Sequence, residues 1–112
     1  MSVTVIRSGL VALALTAGAV NALAGEVVQA DISKLAYTPA EINIHLGDTV
    51  RWTNHDFIAH TATAKSGATS GAWDVMIPAG KTADWQATEV GSVQYFCRFH
   101  PNMKGNINVR AN

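Results

Sequence analysis

The chain has 112 residues, 8 basic and 8 acidic side chains, and a single cysteine. Such a balance offers no basic face to a nucleic acid, and one cysteine permits no intrachain disulfide. The apolar run at residues 9–20, followed at once by Asn21, falls short of the ~20 residues that a membrane span requires.

That run has the layout of a signal peptide instead. Arg7 and the terminal amine make a weakly positive start, and Ala22-Leu23-Ala24 is a small-x-small cleavage site ahead of Gly25. Residues 1–24 are therefore expected to be removed on export to the periplasm, leaving residues 25–112 as one domain. A domain of that size buries only roughly 60–65% of its unfolded surface, and exported domains so small are ordinarily stapled by disulfides. A lone thiol kept in such a compartment is either well buried or occupied by a metal.

Beyond residue 24, short β-branched runs alternate with Gly, Pro, Asn and Asp about every ten residues, which predicts an all-β Greek-key sandwich of about seven to eight strands. A first strand is expected at 26–30. Thr38-Pro39 breaks the chain before a strand at 41–46, in which Ile42, Ile44 and Leu46 share one face and Asn43 and His45 the other. Gly47-Asp48 turns the chain into a strand at 49–54, with Val50 and Trp52 inward, and Asn54-His55-Asp56 ends it. A strand at 60–64 leads into an exposed Gly- and Ser-rich loop at 66–71. Residues 73–77 are ambiguous, and Pro78-Ala79-Gly80 is a turn before a strand at 81–87. Strands from Gly91 to Cys97 and at 104–110 complete the sheet, and Trp52 and Trp85 are expected in the core.

The seam between those last two strands carries the chemistry. In Cys97-Arg98-Phe99-His100-Pro101-Asn102-Met103 a thiol, an imidazole and a thioether stand three residues apart where a strand gives way to a loop. A strand ending at Cys97 aims its sulfur beyond the sheet end, and the turn forced by Pro101 brings His100 and Met103 back toward it. Singly, a cysteine or methionine is more often core filling than a ligand. Together, at this spacing, they make a soft donor set that suits copper, to be completed by a second histidine, with Met103 as a weak axial ligand.

Three histidines compete for that remaining position. His45 lies on the face opposite Ile42 and Ile44 and reads as solvated, and His55 sits in a polar turn beside Asp56. His60 follows the apolar Phe57-Ile58-Ala59 and begins a strand, where packing can hold a neutral imidazole, so His60 is favoured.

The segments at 35–42 and 47–54, His60-Thr61, residues 91–103 and Gly105-Asn106-Ile107-Asn108-Val109 together resemble the cupredoxins, and within them the amicyanin branch. Cys-x-x-His-x-x-Met is the short ligand loop of that branch. The resemblance implies a type 1 blue copper site formed by His60, Cys97, His100 and Met103, because the family's other histidine lies six residues beyond the Asn of a Trp-x-Asn strand, here Asn54. It implies a monomeric electron shuttle whose partners are methylamine dehydrogenase or another periplasmic dehydrogenase, and c-type cytochromes. It also implies an apolar collar of Phe57, Ile58, Met76, Phe99 and Pro101 around His100, although Phe57 and Met76 read equally well as core. Two departures stand out. Ala59-His60-Thr61 replaces the usual Pro-His-Asn, so either the Thr61 hydroxyl pins the ligand loops together or they are held more loosely, and Asn102 replaces an aromatic residue of the docking patch.

With four protein donors no position is left for a substrate, so an electron carrier is expected and not an enzyme. The competing readings are a periplasmic carrier or chaperone that transfers metal and not electrons, and a thiol enzyme using Cys97. The latter lacks a third orienting group and an oxyanion loop.

Overall fold

Nine strands occupy the described residues, 25–68 and 70–112, of this computed structural model. The expected leader at 1–24 lies outside the described residues. In chain order the strands are β1 (Val27–Ser33), β2 (Ala36–Thr38), β3 (Glu41–His45), β4 (Thr49–Asn54), β5 (His60–Ala64), β6 (Asp74–Ile77), β7 (Thr82–Gln86), β8 (Gly91–Phe96) and β9 (Lys104–Arg110). They form two mixed sheets, ordered β2-β1-β4-β7 and β3-β9-β8-β5-β6. Strands β1 and β4 run parallel, as do β3 and β9.

Alternation along each strand decides which side chains meet between the sheets. In β3 and β4 the buried residues are Ile42, Ile44, Val50, Trp52 and Asn54, with exposed or half-buried neighbours between them. Pairing then aligns apolar rows: Ile42 lies opposite Ile107, Ile44 opposite Val109, and Val93 opposite Ile107 on its other side. Trp52, Tyr95, Ile32, Ile44, Ile77 and Ile107 are the largest apolar side chains fully enclosed. Tyr95 stands opposite Gly105, and a Cβ on Gly105 would fall 2.3 Å from the tyrosine Cζ, so only glycine lets that ring lie flat across β9.

Three features differ from the sequence expectation. Strand β1 continues past residue 30 to Ser33, because Ala30 and Ile32 keep the inward alternation and pair with Trp52 and Asn54. It then folds back into β2 through Lys34 and Leu35, both at positive φ (54° and 62°) without the Gly or Asn that advertises such a turn. The Asp56 carboxylate holds this turn from outside, accepting the amides of Lys34 (2.8 Å) and Leu35 (3.0 Å). Residues 74–77 are a strand because β5 pairs with them, His60 opposite Ile77 and Thr63 opposite Asp74. Trp85 is half-buried, stacked on Trp73 with ring centroids 4.5 Å apart, while Trp52 is enclosed as expected. Among the described residues no helix is long and apolar enough to cross a membrane.

Candidate metal centre

The start of β5 and the end of β8 lie side by side. Thr63 pairs with Phe96 and Ala64 with Tyr95, and continuing that antiparallel register past the strand ends sets Thr61 opposite Arg98. His60 and Cys97 are thereby delivered to the same edge of one sheet.

The segment from Asn54 to His60 is folded by the buried Asn54 side chain. Its Oδ1 accepts the Asp56 amide at 2.9 Å, and its Nδ2 donates to the carbonyls of Ile58 (2.8 Å) and Ile77 (3.1 Å). After Cys97 the chain makes two successive four-residue turns that share His100, with His100 N–H donating to the Cys97 carbonyl (3.2 Å) and Met103 N–H to the His100 carbonyl (2.8 Å). The Cys97 amide then donates to the Met103 carbonyl at 3.2 Å, closing the loop on itself. That is the physical content of the three-residue spacing: each turn returns the next donor residue to the same end of the sandwich.

Three donor atoms converge there. Cys97 Sγ is 3.7 Å from His60 Nδ1 and 3.9 Å from His100 Nδ1, and all three atoms lie within 4.8 Å of one another. His60 and Cys97 are fully enclosed, Met103 is buried, and His100 is half-buried. His45 is exposed at the end of β3, and His55 is exposed and paired with Asp31 at 3.0 Å, so neither joins the cluster.

Electrostatics prepare the donors. Burial pushes the Cys97 thiol up, but the Thr61 amide, the His100 and His60 rings and the Phe99 amide outweigh it and bring the group down to about 6. His60 Nε2 lies 2.8 Å from Asp56 Oδ2; a carboxylate only accepts, so this nitrogen carries a proton, and Nδ1 is the nitrogen turned toward the sulfur. Burial pushes the Asp56 carboxyl up, and the Leu35 amide, His60 and the Lys34 amide overcome that and hold it below its ordinary range. One cysteine sulfur and two imidazole nitrogens at such mutual distances fit copper. The Thr61 hydroxyl accepts the Arg98 amide at 2.9 Å, so of the two alternatives the sequence left open, a pin across the two ligand segments is the one the fold adopts.

Asp56 is the contributor that sequence reading missed. It appeared there only as a neighbour of His55, and a carboxylate four residues before a histidine carries no signal outside a helix. The collar residues are exposed, Phe57 completely and Ile58, Met76 and Phe99 by nearly half, so Phe57 and Met76 are not core.

A family model for copper-binding proteins of the plastocyanin/azurin family matches residues 24–110. Amicyanin of Paracoccus denitrificans is 30% identical over 97% of this chain and 98% of its own length. Amicyanin-alpha of Methylorubrum extorquens is 31% identical over 86% of this chain and 85% of its own. Among solved structures, the copper(I) form of an amicyanin variant superposes with a TM-score of 0.70 at 29% identity, covering 75% of this chain and 82% of that one. With donor atoms, fold and relatives in agreement, the chain belongs to the plastocyanin/azurin family of copper-binding proteins, the blue copper proteins that in general transfer electrons.

Proposed function

We propose that this protein is a monomeric periplasmic electron carrier, with residues 1–24 as its removable leader and one domain at 25–112, and that His60, Cys97, His100 and Met103 hold a single copper ion. The observation that carries the reading is the convergence of Cys97 Sγ with two imidazole Nδ1 atoms at one end of a rigid sandwich. Bound copper supplies a one-electron couple between its +1 and +2 states. The chain's part is to keep the donors still and dry: His60 is held through Nε2 by Asp56, and Cys97 through its sulfur by the Thr61 amide at 3.4 Å. With His60, Cys97 and Met103 enclosed, only the half-buried His100 ring of the set meets solvent, which supports a carrier over an enzyme. The same enclosure disfavours a metal chaperone, whose ligands must be reached by a partner's.

His100, half-buried between exposed Phe99 and Pro101, is the electron exit in this reading. Phe57, Ile58, Met76 and Phe99 form the apolar surface against which a redox protein docks briefly. A periplasmic dehydrogenase, methylamine dehydrogenase among them, is the donor in this reading and a c-type cytochrome the acceptor. The test is addition of copper(II) to the purified copper-free chain. One equivalent should give an intense blue colour in the parent and in His45→Ala and His55→Ala, and none in Cys97→Ser or His60→Ala. A colourless parent, or colour in Cys97→Ser, would overturn the assignment.

A further inference from the structure

A ring of hydrogen bonds leaves the ligand loop at Arg98, crosses β5 and β6, and returns to Arg98. The Arg98 amide donates to Thr61 Oγ1 at 2.9 Å, and the Thr61 and Thr63 hydroxyl oxygens are 2.9 Å apart. The Thr63 hydroxyl donates to Asp74 Oδ1. Arg98 closes the circuit with its side chain, Nε to Asp74 Oδ1 at 3.0 Å and Nη2 to Oδ2 at 3.1 Å.

Acceptor chemistry gives this ring a single direction. The Arg98 guanidinium and the Thr63 hydroxyl hold the Asp74 carboxyl below its ordinary range, so it is ionised and can only accept. Thr63 therefore commits its proton to Asp74, and Thr61 must donate to Thr63. The Thr61 oxygen then meets the Arg98 amide with a lone pair. Thr61 is also the residue whose own amide points at Cys97 Sγ, 3.4 Å away, and whose carbonyl accepts the Tyr37 hydroxyl. Turning Thr61 disturbs the sulfur directly and the residue after it at once.

We propose that Thr63, Asp74 and the Arg98 guanidinium are positioning residues of the copper site, a closed hydrogen-bonded ring that orients the Thr61 hydroxyl and through it fixes the loop carrying Cys97. The proposal rests on the copper reading above and adds to it the means by which this chain replaces an asparagine pin. Stability alone does not account for the ring, since an exposed Arg–Asp pair contributes little once solvent screens it. A pair with the same two-pronged geometry, Arg51 to Asp84 at 2.9 and 3.0 Å, lies on β4 and β7 of the other sheet, without a hydroxyl relay, and serves as the internal control. The ring also reaches the docking surface, because the Arg98 guanidinium carbon lies 5.3 Å from the centroid of the Phe99 ring.

Thr63→Val removes the hydroxyl and keeps the branched shape, Thr63→Ser restores the hydroxyl, and Asp74→Asn removes the charge and turns one of the two carboxylate acceptors of the ring into a donor. In the copper-loaded protein the reduction potential and the sulfur-to-copper absorption band are measured, and in the copper-free chain the exchange rate of the Arg98 backbone amide. Thr63→Val and Asp74→Asn should each lower the potential, as the Thr61 amide loosens its hold on the sulfur, and shift the band. Both should speed Arg98 exchange by about tenfold, the equivalent of one ordinary hydrogen bond. Thr63→Ser should return all three readouts to parental values, and Asp84→Asn should move none. If Thr63→Val does not fold, Asp74→Asn decides in its place. Parental values in these variants, or equal shifts in Asp84→Asn, would overturn the ring. A parent that fails to turn blue would instead sink the ligand assignment, and Arg98 exchange in the copper-free chain would still decide the ring.

Discussion

Thr61, Asp56 and Met103 each do more than their residue type announces. A threonine in a strand is ordinarily a half-exposed filler, yet Thr61 is fully enclosed and meets Cys97 through its amide and Arg98 through its hydroxyl. Met103, buried and joined to Cys97 through the backbone, would be the weak thioether donor of the proposed set. A thioether stabilises copper(II) weakly, so the stronger oxygen donor in Met103→Gln should favour the oxidised state and lower the reduction potential, read by voltammetry. An unchanged or raised potential would remove Met103 from the ligand set. Asp48 supplies a pH prediction away from the metal. Burial pushes its carboxyl up, but the amides of Glu26 (2.9 Å) and His45 (2.8 Å) outweigh this and hold it below the ordinary range. A carboxyl depressed on folding stabilises the fold above its unfolded value, ~3.9, and loses that contribution as pH falls through the lower folded value. Asp48→Asn should therefore cost roughly 1–3 kcal/mol at pH 7. The gap between variant and parent should narrow as the parent's carboxyl protonates in acid. Thermal unfolding at both ends of that range checks it, and an equal gap throughout would refute the charge-based account.

At the level of strands, the copper end of the molecule depends on how β5, β8 and β9 are registered. The alignment of Tyr95 with Gly105 holds the Tyr95 ring across β9 and leaves its hydroxyl 3.3 Å from Trp52 Nε1. Gly105→Ala would drive a methyl group into that ring at 2.3 Å, so either the tyrosine or the strand must shift. Overpacking of this kind costs typically ~1–3 kcal/mol. A lowered melting temperature with altered near-ultraviolet dichroism from Tyr95 and Trp52 is expected. A melting temperature at the parental value would mean that β9 yields without cost.

For the whole molecule, the division of labour runs from one end to the other. Apolar side chains exposed beside the donor cluster are expensive to leave in water, and Phe57 is completely exposed. Such a surface is consistent with transient docking, in which a small apolar patch excludes water without locking the complex. Phe99→Ala should slow electron transfer to a c-type cytochrome severalfold at limiting concentration while leaving the blue colour in place, because the patch governs the encounter and not the donor atoms. Stopped-flow kinetics measures this, and parental rates would place the docking surface elsewhere.

Short-range pattern was enough for much of this protein. The alternation of Ile42 with Ile44 and of Val50 with Trp52 assigned those strands and their buried faces, because a pleated strand has only two sides. The meeting of Cys97 and His100 was legible for a similar reason, since one loop of seven residues, Cys97 to Met103, carries both. Long-range geometry was not legible. The β1–β2 turn lacks Gly or Asn and exists because Asp56 accepts two of its amides from more than twenty residues away in sequence. Asp56 as the partner of His60, and Asp74 and Arg98 as the supports of Thr61, likewise arise only when β5, β6 and the loop after β8 meet at one edge. Hydrogen bonds act over about 3 Å and carry no record of sequence separation, so partners of this kind can be found only once the chain is folded.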